Sequence, residues 1–205
     1  MISIIDYQSG NLGAILNMLK RIGIKAHIIS NPDDLQDVSR IILPGVGTFD
    51  TGMKNLTTGG WIDPLRKKVI EQKVPLLGIC LGMQLMTKGS EEGNLEGLGW
   101  IQGYTKRFSF ENSKEYKVPH MGWNKVMSRK ESEKLHFDRE RENRFYFAHA
   151  YYVALDNPQD ELLQTTYGKP FTSAFLKENI LGVQFHPEKS HRYGMELLRN
   201  FANNF

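Results

Sequence analysis

The chain of 205 residues carries a single cysteine, Cys80. One cysteine rules out an internal disulfide and a thiolate-rich zinc site, so this sulfur can act only as a thiol, and neither metal nor cofactor is expected. No apolar run approaches the length of a membrane span, and Met1 leads straight into "ISIIDY" without the basic region and cleavage site of a signal peptide. A cytoplasmic protein with no membrane partner is the expectation. Neither charge sign dominates: 26 Lys and Arg stand against 23 Asp and Glu, and no basic stripe with interleaved aromatics follows one element. Nucleic acid is therefore not an expected partner. Also missing are a Walker sequence and a complete dinucleotide fingerprint, because Asp50 stands where Gly45-x-Gly47-x-x would need its third glycine. With no repeat or linker dividing it, the chain reads as one domain over 1–205.

The first half alternates in type. "ISIIDY" reads as a strand. In "GNLGAILNMLKRIG", Leu12, Ile15, Leu16, Leu19 and Ile22 recur at helical spacing up to Gly23, and "KAHIIS" is a strand again. Asn31-Pro32 has the form of a helix start. "RIILPG" is a third strand, one or two helices fill 48–74, and "PLLGIC" is a fourth strand, too apolar to have a wet face. Apolar strands separated by helices predict an α/β fold with an open, mostly parallel sheet covered on both sides. The second half is β-rich, from "GWIQGYTKRF" to "ILGVQFH", and predicts antiparallel strands. A closing helix puts Leu198, Phe201 and Phe205 on a shared face. Between Ser128 and Arg144 a dense mixture of charges reads as a solvated excursion.

Cys80 sits where the fourth strand meets a new helix, between Gly78 and Gly82. Gly-x-Cys-x-Gly at a strand-to-helix junction has the layout of a nucleophile elbow, which lifts the side chain to the carboxyl edge of the sheet. The helix start and the Leu81 amide are expected to favour a thiolate there. An ordinary thiol, pKa about 8.5, is only a few per cent ionised near neutrality, so such help matters.

A thiol nucleophile needs a base. His27 lies in an apolar strand and reads as structural, while His136 falls in the charged excursion. His186 and Glu188 are better placed: two apart at the end of the last strand, they project to one side, with Pro187 marking the strand terminus. A carboxylate beside an imidazole fixes its tautomer and stabilises its cation. "LPGVGTF" follows the third strand and can offer backbone amides to a neighbouring anion, each worth about 3 kcal/mol in a transition state.

"PGVGTF", "LLGICLGMQLM" and "GVQFHPEKS" together resemble, in order and spacing, the signature regions of class I glutamine amidotransferases. "IIDYQSGNL", "PHMGWN" and "FAHAYY" are similar to the glutaminase subunits of imidazole glycerol phosphate synthase within that family. The resemblance implies a flavodoxin-like sheet and a reaction in which Cys80 attacks the glutamine side-chain amide. His186 then protonates departing ammonia, Glu188 holds His186, and water hydrolyses the thioester. It further implies oxyanion donors at Leu81 and Val46 or Gly47, and glutamine contacts from Gln84, Glu92 and the backbone around Ala150 and Tyr151. Ammonia would pass to a (βα)8 cyclase subunit, in a heterodimer, docked on the side bearing His120 and Trp123.

Departures from the pattern keep the acceptor open. Gln8, Gly13-Ala14 and Ala150 replace residues usual in the histidine-pathway branch, and "GNLGAILNMLKRIG" and "KSHRYGMELLRNF" are also similar to paralogous glutaminase subunits of bacterial surface-sugar amidation. A free-standing γ-glutamyl cysteine hydrolase would turn over without a partner. An inactive binding module would resist labelling of Cys80 by a glutamine-mimicking electrophile.

Overall fold

A computed structural model describes residues 1–111, 115–135 and 142–205. His136 therefore lies outside the described residues. Strands β1 (Ile2–Ile5), β2 (Ala26–Ile29), β3 (Ile41–Leu43) and β4 (Leu76–Ile79) alternate with helices α1 (Leu12–Arg21), α2 (Phe49–Thr58) and α3 (Ile62–Arg66). α3 runs on into a wider π-type turn, Lys67–Glu71. A short helix α4 (Leu81–Leu85) follows β4. Seven further strands come next: β5 (Gly103–Arg107), β6 (His120–Ser128), β7 (Asn143–His149), β8 (Tyr151–Leu155), β9 (Glu161–Tyr167), β10 (Lys169–Lys177) and β11 (Ile180–Val183). Helix α5 (His191–Asn204) closes the chain.

The strands lie in the order β2-β1-β3-β4-β11-β10-β9-β6-β7, with β8 beside β10 and β5 beside β8. From β2 to β11 every pairing is parallel, and from β11 outward every pairing is antiparallel. The flavodoxin-like parallel half and the antiparallel second half are thus both present. β1, β3, β4 and β11 are buried along their whole length, which is why they read as continuous apolar runs. One face packs Ile2, Ile4 and Leu77 against Ile15 and Leu19 of α1 and Leu197, Leu198 and Phe201 of α5. The other packs Ile5, Ile41 and Leu43 against Phe49, Met53 and Leu56 of α2 and Leu65 of α3. Each such side chain, fully buried, contributes about 1.5–3 kcal/mol relative to exposure.

Two elements differ from the expectation. Asn31 does cap a turn, its side chain accepting from the Asp33 amide at 3.1 Å, but only a 3-10 turn over Pro32–Leu35 follows. Leu35 is its one buried residue, so no apolar stripe exists to carry a longer helix into the core. The charged excursion is also narrower than 128–144: Ser128 ends β6 and Asn143 opens β7. Within it Leu135 is buried, and Lys134 donates to the Glu178 carbonyl while lying over the Phe205 ring. Among the described residues no helix is long and apolar enough to cross a membrane.

Candidate active site

Parallel pairing of β4 with β11 brings the decisive residues side by side. Ile79 is in register with Val183, and the Cys80 amide donates to the Val183 carbonyl at 2.8 Å. The residues just beyond the two strands, Cys80 and then Gln184 and His186, emerge together at the carboxyl edge of the sheet. Cys80 holds φ +54°, the left-handed region that a β-carbon disfavours, so the strand-to-helix corner is strained at the thiol itself. The flanking glycines serve a different purpose. A β-carbon on Gly82 would collide with the Leu43 carbonyl, and one on Gly78 would run into Met86 and the Gly82 carbonyl. Their absence of side chains lets the elbow sit directly on β3.

His186 Nδ1 lies 2.8 Å from Glu188 Oε1, with both side chains almost wholly out of water. Burial pulls the His186 pKa down. The hydrogen-bonding and negative charge of the Cys80 sulfur and the Glu188 carboxylate outweigh this and push it up to about 10. His186 therefore carries its proton at neutral pH, and Nδ1 is a donor to Glu188. Among the described residues the other carboxylate oxygen of Glu188 is buried without a hydrogen-bond partner, which leaves His186 as the group its charge faces.

A cavity of about 260 Å3 opens on this group. Val46, Gly47, Cys80, Leu81, Gln84, Glu92, Ala150, Tyr151 and His186, all anticipated from sequence, lie on its wall. Glu92 Oε2 accepts from the Phe49 amide at 2.8 Å, tying the 90–94 loop to the start of α2. Gln84 donates to the Tyr151 carbonyl at 3.2 Å and to Gln184 Oε1 at 3.0 Å. With both hydrogens spent, its own oxygen is the atom it can offer a ligand. The Leu81 amide, first in α4, has no intrahelical acceptor. The Val46 amide instead donates to Ser9 Oγ at 3.1 Å, and Ser9 Oγ donates back to the Val46 carbonyl at 2.7 Å. Of the two loop amides anticipated as donors, Val46 is thus already engaged. α4 is only five residues long, so the helix-dipole help expected at the sulfur is limited to one turn.

His120 is not on the surface. The alternation of β6 turns it inward, 3% exposed, stacked on Tyr167 and Phe147. Its neighbours Met121 and Trp123 point out, 64% and 45% exposed, with Trp123 stacked on His191. His120 belongs instead to a buried chain that sequence reasoning missed. His149 Nδ1 donates to the Tyr151 carbonyl at 2.7 Å, a group that can only accept, so His149 Nε2 must accept from His120 Nδ1 at 3.0 Å. His120 Nε2 in turn accepts from the Asn124 side-chain amide at 3.3 Å. Burial lowers His120 to about 4. Burial also takes His149 to about 3: its bond to Tyr151 works the other way, and the charges of His120 and His186 add to the fall. Both rings are neutral. The only hint in the sequence was "FAHAYY", whose histidine sits one residue before the predicted substrate backbone.

A strained thiol and a proton-bearing imidazole on one cavity, with a carboxylate buried behind the imidazole, at the carboxyl edge of a mostly parallel sheet, define a class: α/β proteins equipped to split an amide through a cysteine. The family model described as Glutamine amidotransferase class-I matches residues 3–205, and the chain belongs to that family. It is 51% identical over 201 residues to "Imidazole glycerol phosphate synthase subunit HisH 2" of Methanococcus maripaludis, covering 98% of each chain. The protein of the same printed name from Pseudomonas aeruginosa is 46% identical, again over 98% of each. Among solved structures, PurLQS of Thermotoga maritima shares the fold with a TM-score of 0.76 at 17% identity, covering 98% of this chain and 97% of that one.

Proposed function

We propose that the protein is the glutaminase subunit of a two-subunit amidotransferase that supplies ammonia for imidazole glycerol phosphate synthesis. The observation that carries this reading is the convergence of Cys80 and His186, with Glu188 buried behind the imidazole, on a cavity whose other walls hold Gln84 and Glu92. Full-length likeness to proteins named as HisH subunits supports the same reading.

In the proposed mechanism Cys80 Sγ attacks the carboxamide carbon of glutamine. Negative charge gathers on the carboxamide oxygen, where the Leu81 and Gly47 amides are the available donors, each worth about 3 kcal/mol. His186 gives its proton to the departing nitrogen as the C–N bond breaks, releasing ammonia and leaving a glutamyl thioester. Water, deprotonated by the now neutral His186, attacks the thioester and releases glutamate. Glu188 stabilises the charged ring at each end of the cycle. The cavity is sized for a small amino-acid side chain rather than a polymer.

Ammonia at neutral pH is mostly protonated and a poor nucleophile, which favours direct transfer to a (βα)8 cyclase subunit producing imidazole glycerol phosphate and AICAR. The exposed pair Met121 and Trp123 is the docking candidate, beside the cavity wall to which Met121 contributes. A second reading, ammonia for a surface sugar, draws on Gln8, Gly13-Ala14 and Ala150. One experiment separates them. The purified protein is combined with each candidate cyclase, and glutamine-dependent and ammonia-dependent amination are measured for wild type and Cys80→Ala. The variant is expected to lose glutamine hydrolysis while keeping partner binding and ammonia-dependent synthesis; persistent hydrolysis refutes the reading.

A further inference from the structure

We propose that Gln184 is a catalytic residue that holds the Cys80 sulfur in its thiolate form by donating a side-chain N–H to it. The inference rests on the reading of Cys80 as the nucleophile. Gln184 follows β11 directly, is wholly buried, and places Nε2 3.7 Å from Sγ, within the longer reach of bonds to sulfur. Its backbone amide donates to the Ser173 carbonyl at 2.9 Å, so the residue is fixed from both ends.

Which end of the amide faces the sulfur follows from its neighbours. The Tyr151 carbonyl can only accept, so the nitrogen of Gln84 faces it. The same nitrogen donates to Gln184 through its second hydrogen, so the oxygen of Gln184 faces Gln84 and its nitrogen is turned to Cys80. His149 donates to that same Tyr151 carbonyl, holding the start of the chain in place. Reversing Gln84 would set its oxygen against two oxygens, and reversing Gln184 would set two NH2 groups against each other.

Cys80 is only 7% exposed, so a charged sulfur there lacks much of the water that would solvate it. A fixed neutral donor offsets this loss, since a hydrogen bond made to the charged form favours that form. A lysine would also stabilise the anion, but its charge would oppose the His186 imidazolium. The amide adds the donor without that conflict. When sulfur bonds to the carboxamide carbon its negative charge moves to the oxygen, and Gln184 neither gains nor loses a proton.

Cys80 is the only cysteine, so alkylation by iodoacetamide reports on it alone. The rate is measured across pH for wild type, Gln184→Met and Gln184→Glu, with circular dichroism confirming the fold. In Gln184→Met the midpoint is expected to rise by about one pH unit, about tenfold less thiolate below the midpoint, and to rise further in Gln184→Glu. A wild-type midpoint in folded Gln184→Met overturns the inference. Should that variant not fold, the side-chain amide resonances of Gln184 in the intact protein decide. They must shift with the midpoint of alkylation and stop doing so in Cys80→Ala, and an amide that does not follow the thiol overturns the inference equally. A protein with the displaced midpoint but no glutamine hydrolysis beside any cyclase would defeat the functional reading alone. An unmoved midpoint in an active glutaminase would defeat only the role of Gln184.

Discussion

Lowering the pH from 7.5 to 5.0 should cost the fold about 4 kcal/mol through two histidines alone, with each unfolded ring gaining up to about 1.4 kcal/mol per pH unit. His120 and His149 titrate near 4 and 3 in the folded chain, against 6.5 for an ordinary histidine. Between those values the unfolded chain binds two protons that the folded chain refuses, so acid favours unfolding. At pH 5.0, about 1.5 units below the ordinary value, each ring accounts for roughly 2 kcal/mol. His186 does not join this loss, because its folded pKa is raised to about 10. Its stabilisation is complete below 6.5 and disappears as pH climbs through 10. Urea titrations at both pH values test the sum. In His149→Gln the new side chain is neutral throughout and can still accept from His120, so the acid loss should fall to about 2 kcal/mol. An unchanged loss in that variant would show that the pair is not held neutral by burial.

Glu188→Gln removes the charge that stabilises the His186 cation, and glutamine hydrolysis in the complex should fall by at least about a hundredfold, with the alkaline limb of its pH profile moving down; retention of that limb near its original position would contradict the ion pair. Gly82→Ala drives a β-carbon into the Leu43 carbonyl and should destabilise the protein by about 1–3 kcal/mol or more, read as a lowered urea midpoint. Trp123→Ala should weaken cyclase binding by about 2 kcal/mol in titration calorimetry while leaving the alkylation profile of Cys80 untouched, and equal affinity would move the docking surface elsewhere.

Much of this molecule was legible along the chain. Apolar continuity in "RIILPG" and "PLLGIC" announced strands buried on both faces, and the spacing of Ile15 and Leu19 announced the stripe that α1 buries. Gly-x-Cys-x-Gly was readable because an elbow is set by neighbours within a few residues; His186 and Glu188 do meet, but through the 3-10 turn Pro187–Lys189 beyond the end of β11 at Val183, not by the strand alternation expected of them. Like the elbow, Asn31-Pro32 was legible as a capped helix start, but a cap signal is local, whereas the length of a helix depends on an apolar face that this segment lacks, and only a 3-10 turn follows.

The sequence by itself determined the element types, the thiol with its imidazole and carboxylate, and the family to which they belong. Tertiary structure alone decided that Gln184 meets Cys80, that Gln84 and Gln184, a hundred positions apart, share a hydrogen bond, and that His120 turns inward to His149. The physical reason is that period and capping act between near neighbours, while strand register and the direction of a buried polar bond are settled only when distant segments pair. His120 could have faced either side of β6 until β7 fixed which side was dry.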